Sequence, residues 1–216
     1  MDGCRFTITP LSIAFSSGSK LNPPYSGQKA FIGVDIRSVD TIRIGSPNLQ
    51  PNLFDRLENG IRTSYSNAII ENNQFKYIYE PGIISFPPLH RAIWVTNVAS
   101  AGTSASNLHT VFIGGDANNL QPNQFDSCQY GVWGNQSTHI AIIGNRFREM
   151  FTAGVYYEGI NSLNNVDVKG NNFRNAFRGV VAWQNSMCNS LITDNTFWYP
   201  NYYNSTGIAV LAQEST

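Results

Sequence analysis

One short phrase recurs along the chain and limits what it can fold into: a β-branched stretch, a Gly/Asn turn, one variable residue, then Phe. It reads Ile69-Ile70-Glu71-Asn72-Asn73-Gln74-Phe75, and then Ile142-Ile143-Gly144-Asn145-Arg146-Phe147. It returns as Val168-Lys169-Gly170-Asn171-Asn172-Phe173 and as Ile192-Thr193-Asp194-Asn195-Thr196-Phe197. Asp2-Gly3-Cys4-Arg5-Phe6 is the same phrase with Cys in the Asn slot. The last three copies lie 26 and 24 residues apart, Phe to Phe. A second phrase, Gly followed by a β-branched residue, comes at Gly60-Ile61, Gly82-Ile83, Gly131-Val132, Gly154-Val155, Gly179-Val180 and Gly207-Ile208. Above both stands a longer duplication: Leu49 to Asp55 matches Leu120 to Asp126 at an offset of 71, read as three coils copied as a block.

Physics selects among repeat folds of this period. The core of the phrase alternates and is β-branched rather than apolar at i, i+3 and i+4, which argues against helical solenoids. Gly, Asn and Pro punctuate it about every eight residues, where they break helices and bend strands. Leu is too sparse for a leucine ladder. What remains is a chain that coils through short strands, each paired in parallel with its copy one coil away. At ~4.8 Å per rung, roughly nine coils of about 24 residues would give a rod on the order of 40 Å long. Phe6, Phe75, Phe147, Phe173 and Phe197 are then expected to stack inside it. Asn145, Asn171 and Asn195, each two residues before its Phe, are expected to take a tight bend with left-handed φ and to hydrogen-bond along the rod axis.

Composition narrows the function classes. Charged residues make up 13% of the chain, about half the ordinary share, and 25 Asn with many Ser, Thr and Gln take their place. Such amide-rich surfaces suit secreted β-proteins. The 42% hydrophobic and 12% aromatic content is enough to bury a core, which excludes a disordered chain. Net charge is zero and no basic stripe is present, so nucleic acid is not an expected partner. No apolar run reaches the ~20 residues of a membrane span. The first 20 residues carry no signal-peptide pattern. Cys4, Cys128 and Cys188 show no metal-like spacing and read as buried free thiols, with a single disulfide and one thiol left over as the alternative.

The Asn-x-Phe and Gly-Val phrases resemble the generic repeats of the right-handed parallel β-helix, or pectate-lyase-like, superfamily. The stretch Pro122 to Val132 is similar to repeats in large secreted surface proteins of bacteria. The resemblance covers nearly the whole chain as one domain, 1–216. It implies an all-β, right-handed parallel β-helix solenoid and an extracellular or bacterial cell-surface location. It leaves function open, since that superfamily holds enzymes, adhesins and passive stalks alike. A solenoid needs polar caps, and neither end reads as one. The expectation is a fragment whose neighbours are the flanking segments of its own parent chain.

Catalysis on polysaccharides needs an acid and a base flanking one bond. Asp167 aligns with Ala141 and Leu191, Asp194 with Gly144 and Gly170, and Asp55 is expected to stand two intervening coils from Asp126. No catalytic residue is therefore assigned. His90, His109 and His139 lack metal-ligand spacing and read as surface or strand-edge residues, so neither a metal nor a cofactor is implied. The better candidate is aromatic. With Val132, Val155 and Val180 inward, alternation sends Trp133 and Tyr156 outward on neighbouring coils, with Trp183 two residues beyond Val181. A flat strip of this kind suits the apolar face of a sugar ring, with Asn135 and Glu158 hydrogen-bonding hydroxyls; the alternative is that a flanking loop covers these rings or that the in/out parity is reversed. The expectation is a non-catalytic surface module, stalk-like or adhesin-like, that binds polysaccharide or cell-surface glycan there. The alternative is a polysaccharide lyase or glycoside hydrolase whose active site lies partly outside this segment.

Overall fold

The computed structural model describes residues 5–7, 32–79, 90–96, 109–115, 121–135, 139–159, 165–183, 189–199 and 207–213. Among these residues twenty strands, β1 to β20 in chain order, are dealt in strict rotation to three parallel sheets. Sheet A holds β1 (Arg5–Thr7), β4 (Asn52–Asp55), β7 (Asn73–Lys76), β10 (Gln124–Asp126), β13 (Arg146–Arg148), β16 (Asn172–Arg174) and β19 (Thr196–Trp198). Sheet B holds β2 (Ile32–Arg37), β5 (Asn59–Ser64), β8 (Arg91–Thr96), β11 (Tyr130–Asn135), β14 (Ala153–Glu158), β17 (Arg178–Trp183) and β20 (Ile208–Gln213). Sheet C holds β3 (Ile42–Ile44), β6 (Ala68–Ile70), β9 (Thr110–Gly114), β12 (His139–Ile143), β15 (Asn165–Lys169) and β18 (Asn189–Thr193). The result is a parallel β-helix of six complete coils and two strands of a seventh, about 30 Å from first rung to last.

The expected nine coils are corrected to about six because coil length varies far more than the short repeats suggest. Successive ladder asparagines are 21, 50, 22, 26 and 24 residues apart. The 71-residue duplication therefore spans one short coil and one long one, two coils rather than three. Asp55 and Asp126 are separated by a single intervening strand, with Lys76 between them.

The interior follows from two columns. Phe54, Phe75, Phe125, Phe147, Phe173 and Phe197 form one stack, with ring centroids 4.6 to 4.9 Å apart. That spacing is the rung spacing of a parallel sheet, so offset stacking comes with the strand pairing. The backbone of Phe6 pairs with Phe54. The second column is an amide ladder: Asn52, Asn73, Asn123, Asn145, Asn171 and Asn195. Asn145 donates its backbone N–H and its Nδ2 to Oδ1 of Asn171, at 2.9 and 3.1 Å, and Asn171 does the same to Asn195. A second Nδ2 bond reaches a strand-end carbonyl one coil back, as from Asn145 to Ile113 and from Asn171 to Ile142.

The left-handed bend lies one residue earlier than expected. Asn72, Gly144, Gly170 and Asp194 carry positive φ, and the ladder asparagines do not. The ladder residue is free to hydrogen-bond because its neighbour takes the turn. A second left-handed position falls two residues after five of the six stacked Phe, at Arg56, Tyr77, Ser127, Glu149 and Asn175, and turns the chain from sheet A toward sheet B.

The Gly of the Gly-Val phrase has a packing cause. A Cβ on Gly131, Gly154 or Gly179 would meet the ring of Phe147, Phe173 or Phe197 at 2.3 to 2.6 Å. Two copies of that phrase are reassigned. Gly82-Ile83 lies outside the described residues, and Ala92-Ile93 holds its slot. Gly207-Ile208 is out of register, since Val210 pairs with Val180; Gly207 instead lies against the Tyr199 ring. Cys128 is a buried free thiol, while Cys4 and Cys188 lie outside the described residues. His90 is buried at 3% exposure rather than a surface residue.

Candidate functional site

Parallel register aligns side chains in columns up the outer face of sheet B. Val132, Val155 and Val180 are fully buried in the core, so their successors point away from it. The central outward column runs Asp35, Arg62, Trp94, Trp133, Tyr156, Val181 and Leu211. Beside it runs Arg37, Ser64, Thr96, Asn135, Glu158, Trp183 and Gln213. The other flank carries Asn59, Arg91 and Tyr130.

The structure brings Trp133, Asn135, Tyr156, Glu158 and Trp183 onto one surface. The rings of Trp133 and Tyr156 are 4.3 Å apart and tilted by 32°. Asn135 Nδ2 donates to Glu158 Oε1 at 3.1 Å, and the Tyr156 hydroxyl donates to Oε2 at 3.2 Å. Trp183 follows Glu158 in register.

An open, flat strip is not what these residues form. Trp133 is 2% exposed and Tyr156 7%, inside a second apolar cluster with Tyr130, Ala153 and Val181. Tyr130 meets Trp133 edge-on at 4.9 Å, and the Arg91 guanidinium lies 4.7 Å over the same indole. A ring covered on both sides cannot stack on a sugar. Of the aromatic candidates only Trp183 is half-exposed, joined by Trp94, which sequence reasoning passed over. Placing Ala92-Ile93 in the Gly-Val slot would have put Trp94 in the Trp133 column.

Burial also shifts the titrating groups. Desolvation and then the Glu158 carboxylate push the Tyr156 hydroxyl well above its ordinary pKa; desolvation also raises Tyr130. Arg91 is lowered to about 10 by burial, against the pull of Glu158.

A family model described as a right-handed β-helix region matches residues 57–197. The chain belongs to that β-helix family. No curated protein and no solved structure matches it.

Two other places on this β-helix bear on chemistry. At the end of sheet A, Ser127 Oγ lies 3.1 Å from Asp126 Oδ1 and 3.3 Å from Glu149 Oε2, so one hydroxyl, with a single proton to donate, sits between two carboxylates on adjacent coils. Column-by-column comparison of the Asp residues missed this pair because its second member is a Glu, one position beyond the direct partner, Arg148. On sheet C, a cleft of about 360 Å³ is lined by Ile69, Phe112, Ala141 and Ile143, with Arg43 and Glu71 at its wall. Arg43 Nη1 donates to Glu71 Oε1 at 2.6 Å. Among the described residues no three His, Cys, Asp or Glu gather as a metal site.

Proposed function

We propose that this β-helix is a non-catalytic module of an extracellular or bacterial cell-surface protein, and that it holds polysaccharide on the outer face of sheet B. The reading rests on one observation. The hydrogen-bonded pair Asn135–Glu158 stands in an outward column that leads directly to a half-exposed indole, Trp183 on the following coil. Sugar recognition pairs aromatic faces with fixed polar groups in this way. The Tyr156 hydroxyl holds the Glu158 carboxylate in place, so little ordering remains to be done on binding. Glycan-array screening followed by calorimetry tests it. The variant Trp183→Ala should weaken the best glycan by at least ~10-fold, in line with aromatic anchors worth about 1–2 kcal/mol or more. Undiminished binding by that variant removes the face from the account.

The Asp126–Ser127–Glu149 arrangement favours a second reading, a polysaccharide-cleaving enzyme, because an acid and a base side by side are what glycoside hydrolysis uses. It stands second for two reasons. Arg148 already binds Glu149, at 3.3 Å, and alternating charges from Asp55, Lys76, Asp126 and Arg148 make that face an ion-pair surface. Reducing-sugar release from a polysaccharide panel, abolished by Asp126→Asn and Glu149→Gln, would move it to first place.

A further inference from the structure

The outer face of sheet C carries a central column that runs Arg43, Ile69, Phe112 and Ala141 on successive rungs. Beside it Gly114 pairs with Ile143. Gly114 has a φ of 107°, and a Cβ there would overlap the Ile143 carbonyl oxygen, so the position must stay bare. Gly115 follows it. These two residues without side chains line the cleft of about 360 Å³ together with Ile69, Phe112, Ile143 and the Arg43–Glu71 pair. Phe112 is 45% exposed. The ring nearest to it among the described residues, His139, is 6.4 Å away and inclined at 75°, so no ring stacks on the phenyl face. Arg43 is half-exposed and Glu71 buried, and Arg43 Nη1 donates to Glu71 Oε1 at 2.6 Å. That bond fixes the guanidinium at the cleft wall and uses one of its five N–H groups.

We propose that this cleft binds a single neutral sugar ring, which lays its apolar face on Phe112 and gives hydroxyl oxygens to the N–H groups of Arg43. Three observations select that occupant. The cleft lies at the small end of the range for small-molecule sites, with an apolar lining and few polar groups, as such sites have. An exposed phenyl beside fixed donors matches a ring with a C–H face and a hydroxyl rim. Charge decides between neutral and ionic ligands. Glu71 already neutralises Arg43, so a carboxylate entering the cleft would face Glu71 as well, and an ammonium would face Arg43. One coil beyond Ala141 and Ile143 stand Asp167 and Lys169, one charge of each sign, which leaves the balance unchanged. Hydroxyls take charge-assisted bonds from a guanidinium without bringing a charge of their own. The cleft shares no residue with the outer face of sheet B and stands whether or not that face takes polysaccharide.

Saturation-transfer NMR on the whole chain tests it, with the methyl glycosides of glucose, galactose and mannose and with N-acetylglucosamine as neutral probes. Glucuronate and glucosamine serve as the anionic and cationic comparisons. The expected result is saturable binding of at least one neutral probe, tighter than that of either charged sugar. Phe112→Ala, at a half-exposed position where folding is little at risk, should weaken it by about 5-fold or more, and Phe112→Trp should retain it. Arg43→Met, which keeps the aliphatic stem and removes the donors, should weaken it by about 5-fold as well, with the thermal midpoint reporting that the chain is folded. Trp183→Ala should leave it unchanged. No saturable binding of any neutral probe overturns the site, as does binding that Phe112→Ala leaves intact or tighter binding of a charged sugar. Loss in Trp183→Ala alone assigns the sugar to sheet B and also overturns it, so failure at either face is seen apart from the other.

Discussion

At the scale of single residues, the coil tolerates little at two positions. Gly154 faces the Phe173 ring so closely that a Cβ would stand 2.5 Å from Cε1. Gly154→Ala is expected to lower stability by about 1–3 kcal/mol through overpacking, measured by urea unfolding. Ala92 sits in the same column one coil before Gly131, so a neutral result would show that the stack can shift to admit a methyl. Asn145 joins three coils, accepting from Asn123 Nδ2 and donating to Asn171 Oδ1 and to the Ile113 carbonyl. Asn145→Ala should cost roughly 2–4 kcal/mol, a few net hydrogen bonds at about 1 kcal/mol each plus the partners left unsatisfied. The half-buried Asn195 should cost less in the same assay.

At the scale of elements, β11 and β14 show why a sheet face that reads as a binding strip can be a packing surface. Trp133 and Tyr156 alternate outward as strand geometry demands, and their column neighbours then close over them. Trp133→Ala should therefore destabilise by about 3–5 kcal/mol, as removal of a buried ring does. Trp183→Ala, half-exposed, should cost under about 1 kcal/mol. Equal stability losses for the two would contradict the burial contrast. The raised Tyr156 pKa has a defined consequence. Above pH ~10 the unfolded chain loses the phenolic proton while the folded one keeps it, so the unfolded state gains and stability falls as pH rises. Tyr156→Phe should show a shallower loss between pH 9 and 11 in denaturant titrations. A loss as steep as that of the parent would mean the hydroxyl is not shielded.

At the scale of the whole molecule, each coil touches only its neighbours, so protection should follow position along the rod. Val210 in the last described rung is 42% exposed, while its equivalents Val180 and Val155 are fully buried. Amide exchange is expected to be slowest in β11, β12 and β14 and fastest in β18, β19 and β20; uniform protection across the rungs would contradict it.

How much of this was legible follows from which interactions are local in sequence. Strand alternation, Gly and Asn at bends, and a Phe every two dozen residues are written into each phrase. From these the parallel coiling, the Phe column through Phe147, Phe173 and Phe197, and the outward direction of Trp133 and Tyr156 could be read before any coordinates. Coil number could not, because loops of very different length close between rungs and periodicity is blind to them. Nor could the cover over Trp133, the approach of Glu149 to Ser127, or the burial of the Arg91 guanidinium against two indoles. These depend on which side chains meet across coils, a matter of register and packing that the amino-acid order determines only through the folded rod.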